Sequence, residues 1–311
     1  MSAPIGLPAA GNPSAAAPLI PVLAVVGVGL IGGSFIAALR EAGHVGHVIG
    51  VGRNAETLAR AQDLGLIDEG ASLADAAARA DLILLATPVG ALPAILATMA
   101  PHLRPGTIVT DAGSTKQDVV AAARLGLGAR IDQFVPAHPI AGSDRHGPDA
   151  ADAGLYRSRT VVVAPLAENR AADVALVERA WTLCGATVVR MTADAHDAVF
   201  ASVSHLPHLL AFAYVNQVAA APDAAMRLAL AGTGFRDFTR IAGSSPEMWR
   251  DIFLANRQAL LAELAQVQAM LDRYRDALLA DDATRLDTLL DDAASTRRGW
   301  RPAAPPESLE V

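Results

Sequence analysis

The 311-residue chain holds one cysteine, Cys184, and one lysine, Lys116. A single thiol excludes an internal disulfide framework and a zinc site built from cysteines. Aromatic residues make up 4% and charged residues 18%, against 52% hydrophobic. Material for a large core is therefore ample, and a mostly disordered chain is excluded. A net charge of -7 and a pI near 5.6 argue against nucleic acid as a partner, because phosphate binding is driven by basic patches. The mean hydropathy of +0.32 raises the question of a membrane. The richest apolar run, 19–39, is cut by Gly27, Gly29, Gly32 and Gly33, and no glycine-free, uncharged stretch of ~20 apolar residues is expected, so no span is expected. Residues 1–19 carry no charge and no basic opening of a secretory signal, and are read as a flexible tail in a cytoplasmic protein.

The length suggests roughly two domains of ~150 residues. From residue 22, short β-branched runs alternate with helical stretches. Strands are expected at 22–27, 47–52, 81–88, 107–113, 133–139, 160–165 and 186–191, with a helix from Leu30 ending at Gly43. Such alternation implies right-handed crossovers and a doubly wound, mostly parallel sheet over 20–192. Beyond residue 192 helical periodicity takes over, giving an all-α domain over 193–298 and a second tail at 299–311. The segment 253–280 shows apolar spacing for one helix of some seven turns. One small domain does not cover so long a helix, which points to an intersubunit or interdomain contact.

Four groups of residues can carry chemistry. The first is Gly27-Val28-Gly29-Leu30-Ile31-Gly32, a G-x-G-x-x-G between the first strand and the first helix. Its glycines allow a tight turn, close approach of a pyrophosphate and close helix–strand packing, and the helix start offers free N–H groups. At the end of the second strand, where an acid would read the ribose of NAD, stand Gly52 and Arg53. That exchange favours NADP over NAD, with Arg53 pairing the 2′-phosphate; the plainer reading is a surface arginine. The second group lies at strand ends, where α/β sheets bind ligands: Thr87-Pro88, the run Asp111 to Lys116 with Ser114, and the run Ala137 to Gly142 with His138. The third is Ser204-His205-Leu206-Pro207-His208, whose histidines share one helical face and suit a substrate better than a metal, for no paired carboxylate motif accompanies them. The fourth, 234–249, holds Arg236, Asp237, Arg240 and Trp249. Arginine is well shaped for bidentate capture of a carboxylate.

Taken together, GVGLIGGS, ATPV, DAGSTK, HPIAGSD, SHLPH and GFRDFTRIA, in that order, resemble the prephenate dehydrogenase family over about 22–298. This family includes arogenate and cyclohexadienyl dehydrogenases of tyrosine biosynthesis. The resemblance implies a Rossmann-type domain followed by a helical dimerisation domain, a homodimer, and NAD(P)-dependent oxidative decarboxylation of arogenate and/or prephenate. It makes His138 the general base and Ser114 its partner on the substrate hydroxyl. Arg240 holds a substrate carboxylate, His208 orients the ring, and Ser204 and His205 complete that motif. Trp249 falls where the family can lend a residue to a neighbouring subunit's pocket. HPIAG is followed here by Ser143-Asp144, a shorter acid than is common in the family, and Asp144 is expected to pair with an arginine near the entrance. The use of NADP leans the substrate choice toward arogenate, and L-tyrosine is expected to inhibit at the active site itself. Two other readings stand beside this one. A β-hydroxyacid dehydrogenase would place a catalytic lysine in the helical half, but the lone Lys116 is in the first domain. An NADP sensor without turnover would lack part of the set Ser114, His138 and Arg240.

Overall fold

The computed structural model describes residues 17–142 and 145–301. Asp144 and most of both expected tails lie outside the described residues. The first half runs β1 (Ile20–Val26), α1 (Leu30–Glu41), β2 (Val45–Val51), α2 (Ala55–Asp63), β3 (Glu69–Gly70), α3 (Leu73–Arg79), β4 (Leu82–Leu85), α4 (Leu92–Met99), β5 (Ile108–Asp111), α5 (Gln117–Leu127), β6 (Phe134–Val135), β7 (Ala137–Pro139), β8 (Thr160–Val163), α6 (Ala171–Leu183) and β9 (Thr187–Arg190). Six strands form one parallel sheet in the order β3-β2-β1-β4-β5-β6. The order reverses between β1 and β4, the place beyond whose strand ends open α/β sheets bind ligands. Because these strands are covered on both faces, they are apolar throughout: Leu23, Val25, Leu82 and Leu84 pack toward one side, Ala24, Ile83 and Leu85 toward the other.

Two expectations are corrected here. The fifth expected strand, 133–139, divides at Pro136, which has no N–H to continue the ladder; its carbonyl instead accepts from Ala164 N at 2.9 Å. Its second half, β7, pairs antiparallel with β8, and β8 pairs parallel with β9, so the last strands make a separate three-stranded sheet. The two-residue β3 was not anticipated, being too short to show a period.

The second half comprises α7 (Ala193–Phe200), one π turn (Ala201–His205), α8 (Leu206–Ala219), α9 (Ala224–Ala229), α10 (Thr233–Thr239), α11 (Pro246–Ala255), α12 (Arg257–Leu279) and α13 (Ala283–Gly299). The expected single helix at 253–280 is broken at Asn256, where the chain leaves helical geometry (φ -101°, ψ 33°). The continuous run Ala193–Ala219 is long and apolar enough to cross a membrane, a stretch that the sequence reading passed over. Its buried His196, Asp197 and His205 are hydrogen-bonded into the protein.

Candidate active site

The turn after β1 has the geometry that its glycines predict. Gly27 adopts φ +97°, and a Cβ there would lie 2.5 Å from the Ala86 carbonyl oxygen. A Cβ on Gly32 would strike the Gly27 carbonyl and come within 2.7 Å of Val25, so the helix sits hard against the strand. Gly29 faces open space, with nothing within 4 Å of its Cβ position. The helix that follows, with Leu30 and Ile31 in its first turn, has no side-chain cap, leaving its first N–H groups for an anion. Across the cradle, after β4, the buried Thr87 hydroxyl has no hydrogen-bond partner among the described residues, and Pro88 leads the chain away from it. An open glycine, bare helix N–H groups and an orphaned hydroxyl fit a dinucleotide. Arg53 is exposed just past β2, and a side chain at Gly52 would meet only ordinary contacts with Leu58, 3.5 Å away. Sterics therefore do not explain the missing acid.

A second set of groups gathers beyond β5. Asp111 and Lys116 form a fully buried ion pair at 2.5 Å. The Asp111 carboxylate also accepts from Gly113 N at 2.8 Å and from Ala137 N at 3.0 Å. One side chain thus ties the turn carrying Ser114 to the strand carrying His138. Burial pushes the Asp111 carboxyl up, and the Lys116 ammonium and those two N–H groups oppose the shift. His138 lies within β7, the second half of the expected strand 133–139, opposite Val162. Its ring meets Phe200 edge-on at 5.1 Å, and its Nδ1 is 2.8 Å from Nε2 of His196. Burial, with His196, Lys116 and His205 adding to it, holds the His138 pKa well below 6.5.

Further groups come from the helical half. His208 donates from Nδ1 to the Ser204 carbonyl at 2.9 Å and stacks on Trp249 at 3.5 Å. Burial lowers its pKa, the hydrogen bond to Ser204 opposes that, and the Arg240 charge adds to the lowering. Arg240 is exposed and carries no ion pair among the described residues, whereas Arg236 and Asp237 pair with each other in the open. Trp249 is buried against its own chain's His208, and its indole N–H has no partner among the described residues. His205, expected at the substrate, is placed differently. It is 1% exposed and its two nitrogens are taken, one facing the Asn256 amide at 3.1 Å and the other the Ser114 backbone. It braces the Ser114 turn, and burial lowers its pKa to about 4.

Three contributors escaped the sequence reading. His196 and Asp197, adjacent on α7, link His138 to the start of α5. Asn256, at the helix break, also donates to the Asp197 carbonyl at 2.7 Å. The only signal was the His-Asp pair two turns before the SHLPH motif, together with the polar residue inside an apolar helical pattern.

Comparison with known proteins agrees with this geometry. Residues 35–190 match the prephenate dehydrogenase nucleotide-binding domain and residues 192–292 the prephenate dehydrogenase dimerization domain. The chain belongs to the prephenate dehydrogenase family. It is 34% identical to a cyclohexadienyl dehydrogenase of Zymomonas mobilis over 85% of this chain and 90% of that protein. Among solved structures it is similar to prephenate dehydrogenase from Aquifex aeolicus in complex with hydroxyphenyl propionate and NAD+, with TM-score 0.84 and 34% identity over 89% of this chain and 97% of that one. Arogenate dehydrogenase from Synechocystis is also similar, with TM-score 0.77 and 30% identity over 89% and 99% of the two chains. Membership in the prephenate dehydrogenase family makes the chain an NAD(P)-dependent oxidoreductase of tyrosine biosynthesis, and sets aside both the β-hydroxyacid dehydrogenase and the sensor.

Proposed function

We propose that this chain oxidatively decarboxylates arogenate and/or prephenate, using NADP in preference to NAD, as a cytoplasmic homodimer. The carrying observation is His138, whose strand is tied through Asp111 to the Ser114 turn and whose pKa burial holds well below 6.5. The bound nicotinamide supplies the acceptor for the hydride from ring carbon C4. His138 takes the proton of the C4 hydroxyl as that hydride departs, and Ser114 hydrogen-bonds the same oxygen. The C4 oxygen becomes a carbonyl, the bond from C1 to the carboxylate breaks, CO2 leaves, and its electron pair completes the aromatic ring. The proton on His138 can then return to the phenolic oxygen. Aromatisation drives this step, so the protein chiefly positions the ring. Arg240 holds a carboxylate through a charge-assisted hydrogen bond. His208, backed by Trp249 and oriented by the Ser204 carbonyl, borders the ring, and Asp144 is assigned to the entrance.

Arg53 favours NADP because a guanidinium suits a phosphate dianion and no acid repels it. L-tyrosine, sharing the product's ring, would compete in the same pocket. The dimerization-domain match and the exposed apolar side chains of α12 support the homodimer. The single buried Cys184 makes no demand for an oxidising compartment, in keeping with the cytoplasm.

The test is a two-by-two assay of NAD+ or NADP+ with prephenate or arogenate, following absorbance of the reduced nicotinamide. Turnover with NADP+ and either substrate is expected. Silence in all four combinations, with cofactor still bound, would overturn the proposal, and a preference for NAD+ would remove Arg53 from cofactor selection.

A further inference from the structure

The polar groups behind His138 form a line whose protons can be assigned one by one. Asp197 sits over the N-terminus of α5, where Oδ1 accepts from Lys116 N and Oδ2 from Gln117 N, each at 2.8 Å. Backbone N–H groups only donate, and a helix N-terminus favours an anion. Burial pushes the Asp197 carboxyl up, but these two N–H groups and the Lys116 ammonium oppose that shift, and with both oxygens accepting we take Asp197 as a carboxylate. Its Oδ1 also lies 2.8 Å from Nδ1 of His196, so that nitrogen must carry a proton.

His196 is wholly buried, and burial depresses its pKa to about 2. A neutral imidazole has one proton, and here it is on Nδ1. The bare Nε2 of His196 then stands 2.8 Å from Nδ1 of His138. Two lone pairs cannot face each other at that distance, so His138 donates from Nδ1, which leaves its own Nε2 unprotonated. Phe200 lies against both rings, 4.5 Å from His196 and 5.1 Å from His138, and limits their rotation.

We infer that His196 and Asp197 are positioning residues that fix the tautomer of His138, so that its Nε2 lone pair, not an N–H, meets the substrate hydroxyl. The inference rests on the reading of His138 as the base. Neither residue touches substrate. Asp197 sets the proton on His196, and His196 sets the one on His138, with the second imidazole carrying the orientation across a gap that a carboxylate alone does not span. The arrangement explains a buried polar line that costs desolvation and is unnecessary for closing the core.

His196→Phe keeps the ring volume and removes the acceptor. His196→Gln offers an amide oxygen to His138 and an amide N–H to Asp197. For His196→Phe we expect kcat to fall ~10²-fold or more, the direction seen when a catalytic imidazole is left in the wrong tautomer, with KM and NADP+ affinity nearly unchanged. His196→Gln should recover most of that loss. Nitrogen-15 spectra of the histidine-labelled wild-type protein give an independent readout, the His138 signals being those absent from His138→Asn. Nδ1 should be protonated and Nε2 bare. A wild-type kcat in His196→Phe, or a protonated Nε2 in the wild type, would overturn the inference while leaving the base reading intact. If His196→Phe does not fold, the wild-type spectrum decides alone. Turnover retained in His138→Asn would instead remove the base reading, whatever the spectrum shows.

Discussion

The two halves of the molecule differ in how far one chain completes them. In the sheet half, Leu64 and Leu125 are the only large apolar side chains left exposed among the described residues, and every central strand is buried on both faces. The helical half exposes Leu230, Phe238, Leu254, Leu271, Leu278 and Leu279, among others, and α12 buries only Leu260 and Ala277. A parallel sheet cannot exist half covered, since its crossover helices lie on both faces, whereas a helix can leave its stripe for a second copy. The first half therefore carries a finished cradle. The second leaves a stripe of apolar side chains uncovered by its own chain.

Four variants test that division, in falling order of expected effect. His138→Asn should lower kcat by about 10²–10⁴-fold with NADP+ affinity retained, which separates chemistry from binding within the sheet half. An unchanged kcat would show that the base lies elsewhere. Lys116→Met leaves Asp111 buried without its ammonium and should cost about 3–5 kcal/mol of stability, the usual penalty for breaking a buried pair. Denaturant unfolding measures this, and a wild-type midpoint would mean that Asp111 is held by its backbone donors alone. Arg240→Gln should raise substrate KM by roughly 10–100-fold, for a carboxylate deprived of its charged partner loses about 1–3 kcal/mol; an unaltered KM would remove Arg240 from the pocket. The double change Leu271→Glu with Leu278→Glu, one heptad apart on α12 and both exposed, should alter monomer stability by less than about 0.5 kcal/mol. Light scattering should nonetheless show a smaller particle, and an unchanged mass would place the interface on another face.

How much could be read in advance follows the same division. The β1-turn-α1 unit was legible because each glycine answers a local constraint: a positive φ at Gly27 and a missing Cβ at Gly32. Strand ends were legible from the alternation of elements, and they located Thr87 and Ser114. The second sheet was not, since β7 is three residues long and its partner β8 lies more than twenty residues on. His138 was found by its motif inside an expected strand, but the pairing of that strand with β8 was not read. The break at Asn256 hid inside an apolar rhythm that continues on both sides, for periodicity averages over a single interruption. His196 and Asp197 act only across 58 and 81 residues of sequence, on His138 and Lys116, and no local pattern reports such a pairing. His205 shows the converse failure: its spacing matched that of His208, yet the π turn aims it inward to the Ser114 backbone and Asn256.

The central claim is that His138 is a base kept neutral by its surroundings, and the pH profile of kcat tests it most directly. Only neutral imidazole accepts the hydroxyl proton, and burial, seconded by His196 and Lys116, sets the His138 pKa well below 6.5. The acid limb should therefore lie below 6.5, with kcat flat as the pH falls from neutrality through that value, and His138→Asn should abolish the limb along with most of the rate. An acid limb centred at or above 6.5 in the wild type, or one that persists unchanged in His138→Asn, would contradict the account.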